Sequence, residues 1–160
     1  MNKAILLALL VLLAPAASTA AVVCRISSGG TLAFGPYDSL ATAPNDTQMD
    51  VTVTCERDGG SRNVTLTLQA DQGMNGASVN ARRLAHVGGT RDTLNYGLYS
   101  DPARSNVLGM SDGINTLRAP LSIENKSSAA ARFTIFGRIP PGQDVTVGNY
   151  SDSVQITLVY

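Results

Sequence analysis

Apolar residues in this chain recur at every second position, in short runs. Met49, Val51, Val53 and Cys55 share one face of a stretch whose other face is Asp50, Thr52 and Thr54. Val64, Leu66 and Leu68 alternate with threonines, and Leu94, Tyr96 and Leu98 repeat the spacing with Tyr99 beside them. Phe133-Thr134-Ile135-Phe136 follows the same habit. A period of two predicts half-buried β-strands. Turn chemistry separates the runs: Gly29-Gly30, Gly59-Gly60, Asn75-Gly76, Gly88-Gly89, Asp101-Pro102, Asp112-Gly113, Pro140-Pro141-Gly142 and Gly148-Asn149. No window sustains a period near 3.6, and only 127–131 offers a single helical turn. Short strands broken so regularly predict an all-β sandwich or barrel. The loosest region is 71–90, with four glycines, which reads as a long surface connection holding one short strand.

The C-terminal run is the most telling. Residues 137–142 and 150–160 read as a β-hairpin whose last strand sets Val154, Ile156, Leu158 and Tyr160 against Ser153, Gln155 and Thr157. The sequence stops inside that alternation. Such a strand either closes its own sheet or leaves an edge for another polypeptide.

The opening residues have a different character. Lys3 precedes an apolar run from Ala4 to Ala14, Pro15 breaks it, and Ser18-Thr19-Ala20 offers a cleavage site after Ala20. This is the pattern of a secretory signal peptide at 1–20, with a single domain at 21–160. Eleven apolar residues are too few to span a bilayer. Val23 just before Cys24 does not suit lipidation of that cysteine.

Charge and chemistry narrow the function further. Without Lys3, eleven Lys and Arg face twelve Asp and Glu. The arginines are dispersed, so no basic stripe exists for nucleic acid. Two cysteines in an exported chain predict one disulfide, Cys24 with Cys55, worth about 3–4 kcal/mol by chain entropy. His86 is the single histidine, read as a solvent-facing loop residue, and no serine stands in a nucleophile-elbow context. Asp58, Asp101 and Asp112 sit beside turn glycines or prolines, where aspartate is favoured for turn hydrogen bonding. The spacing of the aspartates does not suit calcium. No phosphate-binding glycine loop is present, and the Asn45, Asn63 and Asn125 triplets matter only in a glycosylating host. The reading is therefore of a non-enzyme with no catalytic residues, metal, cofactor or small-molecule substrate.

Several stretches together resemble the spore coat protein U domain family, which includes subunits of archaic chaperone–usher pili. They are Cys24 with Phe34-Gly35-Pro36-Tyr37; Val51 to Cys55; Leu94-Asn95-Tyr96-Gly97-Leu98-Tyr99-Ser100-Asp101; and Phe136 to Gln143 leading into Gly148-Asn149-Tyr150-Ser151-Asp152-Ser153-Val154 and Tyr160. One departure is the absence of a tryptophan near 107–113, where the family often carries one.

The resemblance implies an immunoglobulin-like sandwich missing one strand and completed by donor-strand complementation. A missing strand withholds four or five inward side chains, a deficit of about 6–15 kcal/mol at roughly 1.5–3 kcal/mol each. That is comparable to the whole stability of a domain. Val154, Ile156, Leu158 and Tyr160 are then the groove edge, and the Tyr160 carboxylate is the group a chaperone holds. Implied partners are a periplasmic pilus chaperone, an outer-membrane usher and other pilin subunits. The implied location is the periplasm in transit, then a surface fibre. Cleavage after Ala20 leaves three residues before Cys24, about 10 Å of strand, too short to donate. The expectation is a subunit that accepts a strand without donating one, at a fibre tip or terminus. A second reading stays open: a complete β-sandwich that binds a surface or glycan through loops, with Leu108, Met110 and Ile114 as contact residues.

Overall fold

A computed structural model of the chain describes residues 21–160; the expected signal peptide at 1–20 lies outside the described residues. Nine strands follow one another in the order β1 (Val22–Ser28), β2 (Asn45–Arg57), β3 (Arg62–Ala70), β4 (Arg82–His86), β5 (Thr93–Tyr99), β6 (Leu117–Ile123), β7 (Ser127–Ile139), β8 (Tyr150–Ser151) and β9 (Ile156–Val159). All pairings are antiparallel. They form a six-stranded sheet, ordered β1-β2-β7-β5-β4-β8, and a three-stranded sheet, ordered β6-β3-β9.

Alternation explains the layers. In β2 the inward Val51, Val53 and Cys55 are buried while the intervening threonines are half-exposed. In β7 the same holds for Phe133, Ile135 and Ile139. These side chains meet Leu66, Leu68 and Ile123 of the smaller sheet, so the core is the layer between the sheets. β2 and β7 pair along their whole lengths, from Asn45 opposite Ile139 to Arg57 opposite Ser127. At the open end of this ladder Asp46 accepts from Arg138 Nε at 2.7 Å and Nη2 at 2.8 Å, and Arg104 approaches it at 3.3 Å. The Arg104 guanidinium also lies 5.7 Å over the Phe136 ring.

Three expectations are corrected here. Residues 127–131 are strand, not a helical turn: Ala129 and Ala131 stand opposite Cys55 and Val53, and a continuous ladder outweighs local alanine propensity. The C-terminal hairpin does not form. β7 is flanked by β2 and β5, whereas β9 pairs with β3 in the other sheet. Alternation reports which face is buried, not which strand is the neighbour. Leu108 is 0% exposed and belongs to the core, so it is not a loop contact. Its N–H donates to Leu98 O at 2.8 Å, which draws the chain inward after β5.

The disulfide forms as expected. Cys24 and Cys55 are directly opposed on β1 and β2, with Cα atoms 4.0 Å apart. The bond closes a loop with a sequence separation of 31. Replacing both cysteines by serine is expected to lower the unfolding free energy by about 3–4 kcal/mol in urea titrations. A loss below about 1 kcal/mol would show that the bond does little for the fold.

Candidate strand-binding groove

Sheet edges carry unpaired backbone groups, and proteins shield them with proline, charge, bulges or brevity. Among the described residues there are four edges. β6 is shielded by Pro120 and Arg118, and β8 has only two residues. β1 carries the Arg25–Glu56 ion pair and a register shift between Ile26 and Ser28. β9, Ile-Thr-Leu-Val, has no proline, charge or bulge, and it pairs with β3 alone. It is the unguarded edge.

A groove opens beside it. Its lower chamber, about 310 Å³, lies between residues 30–34 on one side and Ser153, Val154 and Ile156 on the other. The floor is apolar: Met49, Leu84, Leu98 and Ile135, with Tyr96. An upper chamber of about 640 Å³ continues between 31–37 and 145–152, over Leu84, Leu94 and Ile139. Thr31, Leu32, Phe34, Leu84 and Asp152 line both.

The first wall runs from the end of β1 without joining a sheet. Side chains hold it: Thr47 Oγ1 donates to Ala33 O at 2.8 Å, and Asn45 Nδ2 to Pro36 O at 3.0 Å. Tyr37 Oη accepts from Gln143 N at 2.7 Å. Phe34 meets Tyr96 edge-on, with ring centroids 6.0 Å apart. Gly137 makes this crossing fit, because a Cβ there would come within 2.9 Å of Phe34 Cζ.

The second wall is held by a reciprocal clasp. Asp71, just past β3, accepts Gln155 N–H at Oδ1 (3.0 Å). Asp152, just ahead of β9, accepts Met74 N–H at 3.0 Å, Asn75 N–H at 3.2 Å and Asn75 Nδ2 at 3.0 Å, all at Oδ1. Its Oδ2 accepts the Tyr96 hydroxyl at 2.7 Å. Backbone bonds from Asp71 N to Gln155 O and from Met74 N to Ser153 O, both 3.1 Å, complete the stitching. Behind it Arg82 is 0% exposed and donates to the carbonyls of Ala70, Asp71, Val79 and Leu108. Burial lowers the pKa of this guanidinium, and burial with the Asp152 bond raises that of the Tyr96 hydroxyl.

Higher up, Asp92 accepts from the Thr146 hydroxyl and from Thr146 N–H at 3.1 Å, which holds its carboxyl below the usual range. His86 is not a loop residue: it ends β4, its ring edge-on to Tyr150 at 5.1 Å, and Nδ1 accepts Gly88 N–H at 2.9 Å. Val87 N–H donates to Asn149 O at 2.8 Å and braces the same wall.

Val154 and Ile156 line the groove; Leu158 packs on the core from within β9, and Tyr160 lies beyond β9, 51% exposed. Met110 and Ile114 stand exposed on the connection between β5 and β6. Sequence reasoning missed the clasp of Asp71, Asp152 and Arg82, and it missed the 30–37 wall. The one available signal was the pair Arg82-Arg83 opening a short strand, one of which must face inward. Among the described residues no cluster of three His, Cys, Asp or Glu side chains suits a metal ion.

Comparison with known proteins agrees with the fold. The sequence pattern of the Spore Coat Protein U domain matches residues 10–157. "Protein U" of Myxococcus xanthus is 30% identical over 155 residues, covering 86% of this chain and 77% of that protein. Among solved structures, similarity is found to the CsuC–CsuE chaperone–tip adhesion subunit pre-assembly complex from archaic chaperone-usher Csu pili of Acinetobacter baumannii. The TM-score is 0.55 at 15% identity, over 88% of this chain. The chain spans 40% of the length of that solved chain.

Two positions test the clasp. Gly73 has φ +78°, and a Cβ there would lie 2.8 Å from Asp152 Cγ, so Gly73→Ala is expected to cost about 1–3 kcal/mol. Arg82→Met leaves buried carbonyls without donors and is expected to cost about 3 kcal/mol or more. Arg82→Lys should recover only part, since an ammonium cannot span the same carbonyls. Urea unfolding reads all three variants, and wild-type stability in either Arg82 variant would contradict the assignment.

Acid is a further test. Arg138 holds Asp46 below the ordinary value of 3.8, as Thr146 does Asp92 and the Asn106 N–H does Asp101. The unfolded chain therefore takes up protons there before the folded chain does. This contribution is intact above the ordinary value and is lost as pH falls through the lowered ones. Stability is expected to drop as pH falls below about 4. A flat profile there would contradict the three contacts.

Proposed function

From the premise that this chain belongs to the spore coat protein U domain family, we propose that it is an exported structural subunit of a chaperone–usher-type surface fibre. In this reading the groove beside β9 takes an extended strand from another polypeptide. One observation carries it: an unshielded strand edge begins, at Ile156, in the wall of an apolar-floored groove. An added strand satisfies both at once, giving the edge backbone partners and the floor side chains. The sandwich is then one strand short in isolation, and Val154, Ile156 and Leu158 form the edge the partner meets. Tyr160 extends that edge and is the residue proposed for the chaperone contact.

The partners proposed are a periplasmic chaperone first, an outer-membrane usher during export, and a neighbouring subunit in the fibre. The similar solved complex, CsuC with CsuE, is itself a pairing of a chaperone with a tip subunit before assembly. The function is mechanical, with no catalytic step. β1 is committed to β2, and the disulfide fixes Cys24 there. With signal cleavage after Ala20, one residue precedes β1, so the subunit accepts a strand and does not donate one. That suits a tip or terminating position. Exposed Met110 and Ile114 support a subsidiary role in contact with a surface or glycan.

Hydrogen exchange tests the proposal, on chain expressed alone and with a periplasmic pilus chaperone. Alone, the Ile156–Val159 amides that point away from β3 are expected to exchange rapidly and the chain to be protease-sensitive. With the chaperone, those amides should slow by at least about a hundredfold. A stable monomer whose β9 amides are already protected, and which captures no chaperone, would overturn the reading.

A further inference from the structure

The groove carries a single charge. Of the residues lining either chamber, Asp152 alone bears a charged side chain, and it stands where the chambers meet. Oδ1 is fully used by the three donors of the 74–75 turn, whereas Oδ2 takes only the Tyr96 hydroxyl. A carboxylate offers about four acceptor positions, two on each oxygen. Oδ2 therefore retains an acceptor position, and Asp152 lines both chambers.

Arg82 offsets part of that charge from a distance, since Asp71 and Asp152 both favour its cationic form. The Arg82 guanidinium spends its donors on backbone carbonyls and, among the described residues, makes no salt bridge to either clasp carboxylate. Two carboxylates, Asp71 and Asp152, thus stand against one guanidinium. While the groove is open, water serves Oδ2. A strand laid over the groove removes that water, and a desolvated carboxylate without a new donor is costly.

We infer that Asp152 is a specificity station, and that the strand docking in the groove carries a cationic lysine or arginine at the inward position facing it. This deepens the strand-acceptance reading and rests on it. The partner pattern becomes apolar inward residues on both sides of one basic residue, two positions away in each direction because inward positions alternate. Wholly apolar strands fill the floor but leave the carboxylate without a partner. Acidic ones add repulsion. The station also sets register, because a slip by two residues moves the cation off Oδ2.

Synthetic strands of about eight residues, as many as the 30–37 wall contains, provide the probe. They alternate valine and threonine between glycine–serine tails, and one central inward valine is replaced by lysine, leucine or glutamate. Fluorescence anisotropy with the oxidised chain reads the affinities. Lysine is expected to bind about tenfold tighter than leucine, and glutamate weaker than both, with the lysine advantage shrinking in high salt. Asp152→Asn, which keeps an acceptor for the 74–75 turn, should compress the spread to less than about twofold. Tyr96→Phe keeps the carboxylate and should keep the preference. Equal binding of all three peptides, or leucine binding best, would overturn the station and leave the groove reading standing. If none of the peptides binds, both fall.

Discussion

Backbone groups at a sheet edge need partners, and β9 has them on one side only. Hydrogen bonds on the strand's near side hold that edge in place. Two bonds from backbone N–H to carbonyl and two carboxylates bind the segment ahead of β9 to the turn after β3. The buried Arg82 ties that turn to the core carbonyl of Leu108. On the far side of the groove the 30–37 wall hangs from side chains of β2 and from the 140–143 turn instead of pairing with β9. The gap between the walls is thus framed by hydrogen bonds independent of any occupant. In the proposed function, such framing lowers the cost of ordering the site for an incoming strand.

The division between the sheets follows the same logic. The large sheet is locked by the full-length β2–β7 ladder, the disulfide and the Asp46–Arg138–Arg104 cluster. The small sheet has three strands, and its last is four residues long. The long ladder and the disulfide thus lie in the large sheet, apart from β9. This suits a protein whose proposed action is to exchange one covering strand for another, since only the small sheet needs to respond.

Much of the sandwich was legible in the sequence because period two reports burial directly. Val51, Val53, Leu66, Leu98, Phe133 and Ile135 all lie where their spacing puts them. The disulfide followed from compartment and count. Neighbour relations were not legible: the same alternation that buries Ile156 is silent on whether it lies beside β7 or β3. The 127–131 segment hid its strand because small residues carry little pattern. Arg82 hid because its burial depends on four carbonyls from separate parts of the chain. Asp152 stood in sequence only within the family-like stretch 148–154, and the fold is what places it on the groove.

The central claim is that the open side of β9 is a docking site for a foreign strand. Its most direct measurement is a crystal structure of the chain purified with whatever polypeptide it captures in the periplasm. A strand of that partner is expected between Ile156–Val159 and residues 30–34, hydrogen-bonded to β9 and filling the chamber above Leu98 and Ile135. A partner bound elsewhere, with the β9 edge still bare or covered by this chain's own backbone, would contradict the account.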